Sequence, residues 1–197
     1  MNLQIFDTFS NNLEVRLSYY ANQMKLVTED CIRYEFYGSL LSNVYPHEII
    51  LEYPHDTLSQ KEIDLVINNS VLESIFEFKY YRAIPSGQED RTARMANIYI
   101  DIMKLKLSNV ATDKYFVFVT DSVMYGYCLR NQYENMIQED SFEFVVSPKH
   151  QEGLNFKKVV FKKLPESTDM STPIVIKRVY YKELEQDHYL FIYKILS

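Results

Sequence analysis

Apolar positions in the first 107 residues fall into two periods. From Asn11 to Val27 they recur at helical spacing (Leu13, Leu17, Tyr20, Met24), which predicts a first helix. Thr28 follows as an N-cap residue, with Glu29 and Asp30 in the first turn, where acids complement the helix dipole. The stripe Ile32, Phe36, Leu40 carries this second helix to about Asn43–Pro46, weakened only slightly by Gly38. The period then changes to two. Short strands are predicted over Glu48–Tyr53, Glu62–Ile67 and Val71–Tyr81, separated by a polar turn at Pro54–Gln60 and by Asn68-Asn69-Ser70. A loop over Ile84–Asp90 precedes a helix over Arg91–Leu107, with Met95, Ile98, Ile102 and Leu105 on its apolar face.

The unbroken β-branched and aromatic run Tyr115–Thr120 reads as a strand buried on both faces. Beyond it the pattern predicts a helix over Tyr127–Ile137 and a strand over Phe142–Val146. A lysine-flanked strand follows over Lys157–Lys163, and two more strands over Ile174–Tyr181 and Tyr189–Ile195. Pro165–Thr172 is the one linker-like stretch, and no repeat interrupts the chain. A single α/β domain over 1–197 is expected, a mixed central sheet flanked by helices.

Composition narrows the function classes. Only 4 Gly occur in 197 residues, and neither a phosphate-cradling Gly-rich loop nor a dinucleotide fingerprint nor a Gly-x-Ser-x-Gly elbow is present. Cys31 and Cys128 have no metal-type spacing and read as reduced thiols, which points to a reducing, cytoplasmic compartment. Met1–Ser10 has neither a basic stretch nor an apolar run, so no signal peptide is expected, and no apolar run is long enough to span a bilayer. The net charge of −6 disfavours a nonspecific nucleic-acid binder but leaves room for a local basic groove. Lys157, Lys158, Lys162, Lys163, Lys177, Arg178 and Lys182 are candidates for one, and a solvated strand face is the preferred reading of them.

One stretch carries chemistry. In Lys61-Glu62-Ile63-Asp64-Leu65 an acid stands among apolar residues, and Ile75-Phe76-Glu77-Phe78-Lys79 puts Glu77 and Lys79 two residues apart on the next strand. Alternation sets Glu77 and Lys79 on one face and Phe76 and Phe78 on the other. Asp64 on the adjacent strand would then face Glu77 at roughly 5 Å. Two carboxylates that close need a cation between them or a raised pKa. Oxygen ligands suit Mg²⁺ or Mn²⁺, which can activate a water and stabilise a leaving phosphate oxygen. A nearby ammonium can orient that water.

Asp64, followed after twelve residues by Glu77-Phe78-Lys79, resembles the PD-(D/E)XK motif of the restriction-endonuclease-like nucleases. The residue before Asp64 is Ile63 rather than Pro. The resemblance implies an αβββαβ core over 28–120, with 121–197 adding strands to the same domain. It implies Asp64 and Glu77 as metal ligands, Lys79 as the residue that positions or deprotonates the attacking water, and Glu29 as a supporting acid at the helix start, with Glu35 as its rival. Arg91 and Arg94, opening the next helix, would lie near the scissile phosphate, and Gln88 could position water. The activity implied is that of a Mg²⁺- or Mn²⁺-dependent endodeoxyribonuclease of restriction, defence or DNA-processing type. RNA remains open as a substrate, and a homodimer is expected where both strands are cut. The alternative on the same fold is a non-catalytic nucleic-acid-binding or regulatory module.

Overall fold

A computed structural model describes residues 3–69, 73–82 and 90–196. Its strands are β1 (Ile49–Pro54), β2 (Glu62–Asn68), β3 (Glu73–Tyr81), β4 (Asp113–Asp121), β5 (Ser141–Phe144), β6 (Ile174–Leu184) and β7 (His188–Ile195). They form one sheet in the order β1-β2-β3-β4-β7-β6-β5. Among the described strands only β3 and β4 run parallel, joined through the helix α3 (Arg91–Leu107); every other pairing is antiparallel. The protein is therefore an α/β fold built on a seven-stranded mixed sheet.

Helices cover both faces. On one side lie α1 (Leu3–Asn22) and α2 (Glu29–Leu40). Phe9, Leu13 and Leu17 of α1 and Ile32, Phe36 and Leu40 of α2 are buried at the spacing of an amphipathic helix. They meet Phe76 and Phe78 of β3 and Val117 and Val119 of β4. Phe36 is the centre of that layer, with ring centroids 4.8 Å from Phe76, 5.3 Å from Phe78 and 5.2 Å from Phe9. On the other side Met95, Ile98, Ile102 and Leu105 of α3 pack over Ile75, Phe116 and Phe118. β4 is buried from Tyr115 to Asp121, as its uninterrupted apolar run requires.

The first helix begins at Leu3, eight residues before the sequence pattern placed it, because Ile5, Phe6 and Phe9 extend its buried face. The helix expected over Tyr127–Ile137 is two helices, α4 (Ser122–Arg130) and α5 (Glu134–Gln138). Gln132 between them adopts φ 65°, a left-handed conformation that ends a helix. The strand expected over Lys157–Lys163 is incorrect. After the short helix α6 (Pro148–Glu152), residues Leu154–Phe161 form the helix α7. Phe156, Val160 and Leu164, four residues apart, are the buried positions, and α7 lies against α3. The paired β-branched residues Val159-Val160 between lysines mimicked a strand, while the spacing of four was the governing signal. Among the described residues no helix is long and apolar enough to cross a membrane.

A candidate acid and lysine site at a fork between two strands

β2 and β3 pair from Asn68↔Glu73 to Leu65↔Phe76, and the ladder stops there. Ile63 packs with the α3 side of the sheet whereas Leu65 packs with the α1/α2 side, so the alternation of β2 breaks at Asp64. In the facing strand β1, Glu52 takes φ 53°, and the pairs Leu51↔Leu65 and Tyr53↔Ile63 flank it. The strands thus separate at Asp64. The edge of β3 beyond Phe76 loses its partner, and its inward N–H groups need other acceptors.

Two carboxylates supply them. Phe78 N donates to Asp64 Oδ2 at 2.8 Å, and Tyr80 N donates to Glu29 Oε2 at 3.1 Å. Alternate N–H groups of a strand point to the same edge, so both acids are drawn to one side of β3. Glu29 reaches it because α2 starts there. Thr28 caps that helix, its side-chain oxygen accepting from Cys31 N at 3.4 Å, and Phe36, two turns on along the same face, fixes the helix to β3.

Glu77 and Lys79 project toward α3, which contributes two residues that the sequence pattern did not single out. Lys79 Nζ lies 2.9 Å from Asp101 Oδ2 and 3.3 Å from Glu29 Oε1. Lys104 Nζ lies 2.7 Å from Glu77 Oε2 and 4.0 Å from Asp101 Oδ1. Arg33 of α2 completes the ring, its guanidinium 3.7 Å from Asp64 Oδ1 and 2.7 Å from Asp30. The α3 residues are held by their backbone. His55 Nε2 hydrogen-bonds the Lys104 carbonyl at 2.9 Å, and Thr57 Oγ1 donates to the Leu107 carbonyl at 3.1 Å.

Burial sets the electrostatics. Glu77 is 1% exposed, and its Oε1 has no hydrogen-bond partner among the described residues. Burial and the neighbouring charges of Asp64 and Asp101 push its carboxyl well above the usual range against the pull of Lys104. Burial likewise raises Asp64 and Glu29, opposed by the Phe78 amide for the first and by Lys79 for the second. Burial alone would lower Lys79, but Asp101 and Glu29 outweigh it and hold the ammonium well above its ordinary pKa. Lys104 is raised in the same way, burial being overcome by Glu77 and Asp101.

The structure therefore brings Glu29, Asp64, Glu77 and Lys79 to one fork and adds Asp101 and Lys104. Glu35 turns away: it pairs with Arg16 of α1, beside Tyr19 and Tyr20. Arg91 and Arg94 stand half-buried at the start of α3, with the Arg94 guanidinium 5.1 Å above the Tyr81 ring. Gln88 lies outside the described residues. Lys163, just past α7, donates to Asn97 Oδ1 of α3 at 3.0 Å, so one of the basic candidates borders the site. Arg178 and Lys182 are engaged elsewhere, with Asp140 at 2.6 Å and Glu14 at 2.7 Å.

The donor set suits a hard divalent cation: carboxylate oxygens, of which the buried Glu77 Oε1 has neither a hydrogen bond nor an ion pair among the described residues. As arranged, each acid is turned to its own amide or ammonium, and among the described residues no three acidic, histidine or cysteine side chains converge as a ready metal cluster. No protein-family model matches the chain, and no curated protein or solved structure matches it.

Proposed function

We propose that this chain is a Mg²⁺- or Mn²⁺-dependent endodeoxyribonuclease of the PD-(D/E)XK kind, serving restriction, defence or DNA processing. The observation that carries the reading is the meeting of Asp64, Glu77, Lys79 and Glu29 at the strand fork, with Glu77 Oε1 buried and without a hydrogen-bond partner among the described residues. The order α2, β1–β3, α3, β4 supports a restriction-endonuclease-like core, to which β5, β6 and β7 add a second half-sheet.

In this reading Asp64 and Glu77 hold the cation and Glu29 stands beside it. Bound there, the ion supplies an acidified water and neutralises charge on the phosphate. Lys79 orients the attacking water and offsets the charge that builds on the phosphoryl oxygens. Its ammonium is paired with both Asp101 and Glu29, which favours the orienting role over that of a general base. Asp101 holds the Lys79 ammonium at 2.9 Å, beside Glu29 at 3.3 Å. Arg91 and Arg94 lie at the end of α3 nearest β3's last residues, where forked guanidinium groups suit the phosphates of a DNA strand. Cutting both strands calls for two copies, so the working form is a homodimer.

The test is cleavage of supercoiled plasmid by the parent and by Lys79→Ala, with Mg²⁺, with Mn²⁺ and with EDTA. Metal-dependent nicking or linearisation is expected, reduced by roughly 10²-fold or more in the variant. A second reading rests on one observation: Lys104 and Lys79 already neutralise Glu77 and Asp101, so the acids are tolerated without any ion. Parent protein that cuts neither DNA nor RNA under any of these conditions would favour that reading, a non-catalytic nucleic-acid-binding or regulatory module.

A further inference from the structure

We infer that the Lys104 ammonium is a built-in occupant of the cation position, and that a divalent ion enters the fork by displacing it from Glu77. The inference rests on the metal site proposed above but makes a separate claim, about which side chain competes for it.

Three observations lead here. First, Lys104 Nζ sits 2.7 Å from Glu77 Oε2 and 4.0 Å from Asp101 Oδ1, with 12% of its side chain exposed. Second, Glu77 is the most buried acid of the group, and Lys104 engages only one of its oxygens, leaving Oε1 without a hydrogen-bond partner among the described residues. A carboxylate that is 1% exposed is expected to have both oxygens satisfied. One ammonium cannot satisfy it together with Asp64 and Asp101, whereas a divalent ion bridging several oxygens can. Third, the two lysines do not play the same part. Lys79 is held on two sides, by Asp101 and Glu29, while the shortest contact of Lys104 is to Glu77, one of the two carboxylates that would hold the ion. Lysine suits displacement, because its charge is a compact point on a flexible four-carbon stem.

The physical consequence is a competition. In the absence of the ion, Lys104 keeps Glu77 from standing as an unpaired buried charge, which would be strongly destabilising. When the ion binds, the ammonium must leave a buried pair, and the observed affinity is lowered by that cost. Removing the positive charge should therefore strengthen ion binding while weakening the ion-free fold. A residue that merely props the helix against the sheet would do only the second.

The experiment is a Mn²⁺ titration of the full chain, with free Mn²⁺ followed by electron paramagnetic resonance. It compares the parent, Lys104→Met, Lys104→Gln, Lys104→Arg and Glu77→Gln, each checked for folding by circular dichroism. Lys104→Met should bind Mn²⁺ at least about tenfold more tightly than the parent, a small part of the penalty for breaking a buried pair. Lys104→Gln, which keeps a hydrogen-bond donor for Glu77 without the charge, should tighten in the same direction and serves if the Met variant does not fold. Lys104→Arg keeps the charge and should bind as the parent does. Neutral variants that bind no more tightly, while parent binding is lost in Glu77→Gln, overturn the inference and leave the metal site standing. Tightening by Lys104→Arg equal to that of Lys104→Met also overturns it, since charge would not be the cause. Absence of binding in the parent and in both neutral variants overturns the metal reading itself, and the inference with it.

Discussion

Replacing Phe36 by Ala would remove the ring that fastens α2 to the sheet. Phe36 is fully buried, and four aromatic rings surround it: Phe76 at 4.8 Å, Phe9 at 5.2 Å, Phe78 at 5.3 Å and Phe6 at 6.4 Å. Truncating a buried Phe to Ala costs ~3–5 kcal/mol through lost transfer energy and the cavity left behind. Aromatic pairs add ~0.5–1.5 kcal/mol each beyond their buried area, and here several are lost together, which keeps the expected loss at or above the middle of the truncation range, about 4 kcal/mol. That is a large share of the ~5–15 kcal/mol by which folded domains exceed their unfolded chains. With a urea dependence of ~2 kcal/mol per molar, the unfolding midpoint should fall by ~2 M at unchanged slope. Because Glu29 lies seven residues earlier on the same face of α2, the variant should also lose plasmid cleavage before it unfolds globally. A midpoint shift under ~0.5 M would refute the claim that this ring cluster carries the helix-to-sheet contact.

Other perturbations discriminate further. Asp64→Asn keeps an oxygen to accept from Phe78 N and removes one charge from a crowded set of acids, so the metal-free thermal midpoint should hold or rise while plasmid cleavage falls by roughly 10²-fold; a lowered midpoint would mean that the carboxylate charge stabilises the fold. Asp169 is held at about 2 by hydrogen bonds from Ser171 and Thr172. A depressed carboxyl contributes stability above its unfolded pKa and loses it as pH falls through the folded one, so Asp169→Ala should lower the midpoint at pH 6, and the gap to the parent should close between about pH 4 and pH 2. Cys128 is buried, its thiol pushed up to about 12, and a thiol reagent should modify it only in denaturant, where labelling of native protein confined to Cys31 is the outcome checked by mass spectrometry.

The elements that build the fork were legible because each announces itself locally. The α3 boundaries follow from the Arg91–Leu107 periodicity, and the Glu77/Lys79 and Phe76/Phe78 faces follow from alternation. Asp101 and Lys104 were not singled out, although Asp101 carried a signal: it sits three residues after Ile98 and four before Leu105, inside the apolar stripe itself, and it is 7% exposed. A charged residue within a buried stripe needs a partner on the facing surface, and that partner belongs to a strand whose position only the tertiary fold supplies. The break of β2 at Asp64 was hidden for a different reason, since Ile63, Leu65 and Ile67 alternate regularly in sequence and it takes the structure to divide them between two cores.

The placement of β4 at the middle of the sheet also sets a schedule for the chain's synthesis. One edge of β4 is closed by β3, which precedes it, but the other is closed by β7, which begins about 67 residues after β4 ends. The first helix waits as well, for Ser10 meets Tyr180 at 2.9 Å and Glu14 meets Lys182 at 2.7 Å, both on β6. At ~5–20 residues per second, a ribosome takes roughly 3–13 s to cover that interval. For that time the most buried of the described strands has an open edge, the kind of surface that templates pairing with another chain. The stretch over 28–120, which carries all the acids and lysines of the fork, leaves one edge of β4 unpaired on its own, and a chain halted after residue 121 should expose that edge.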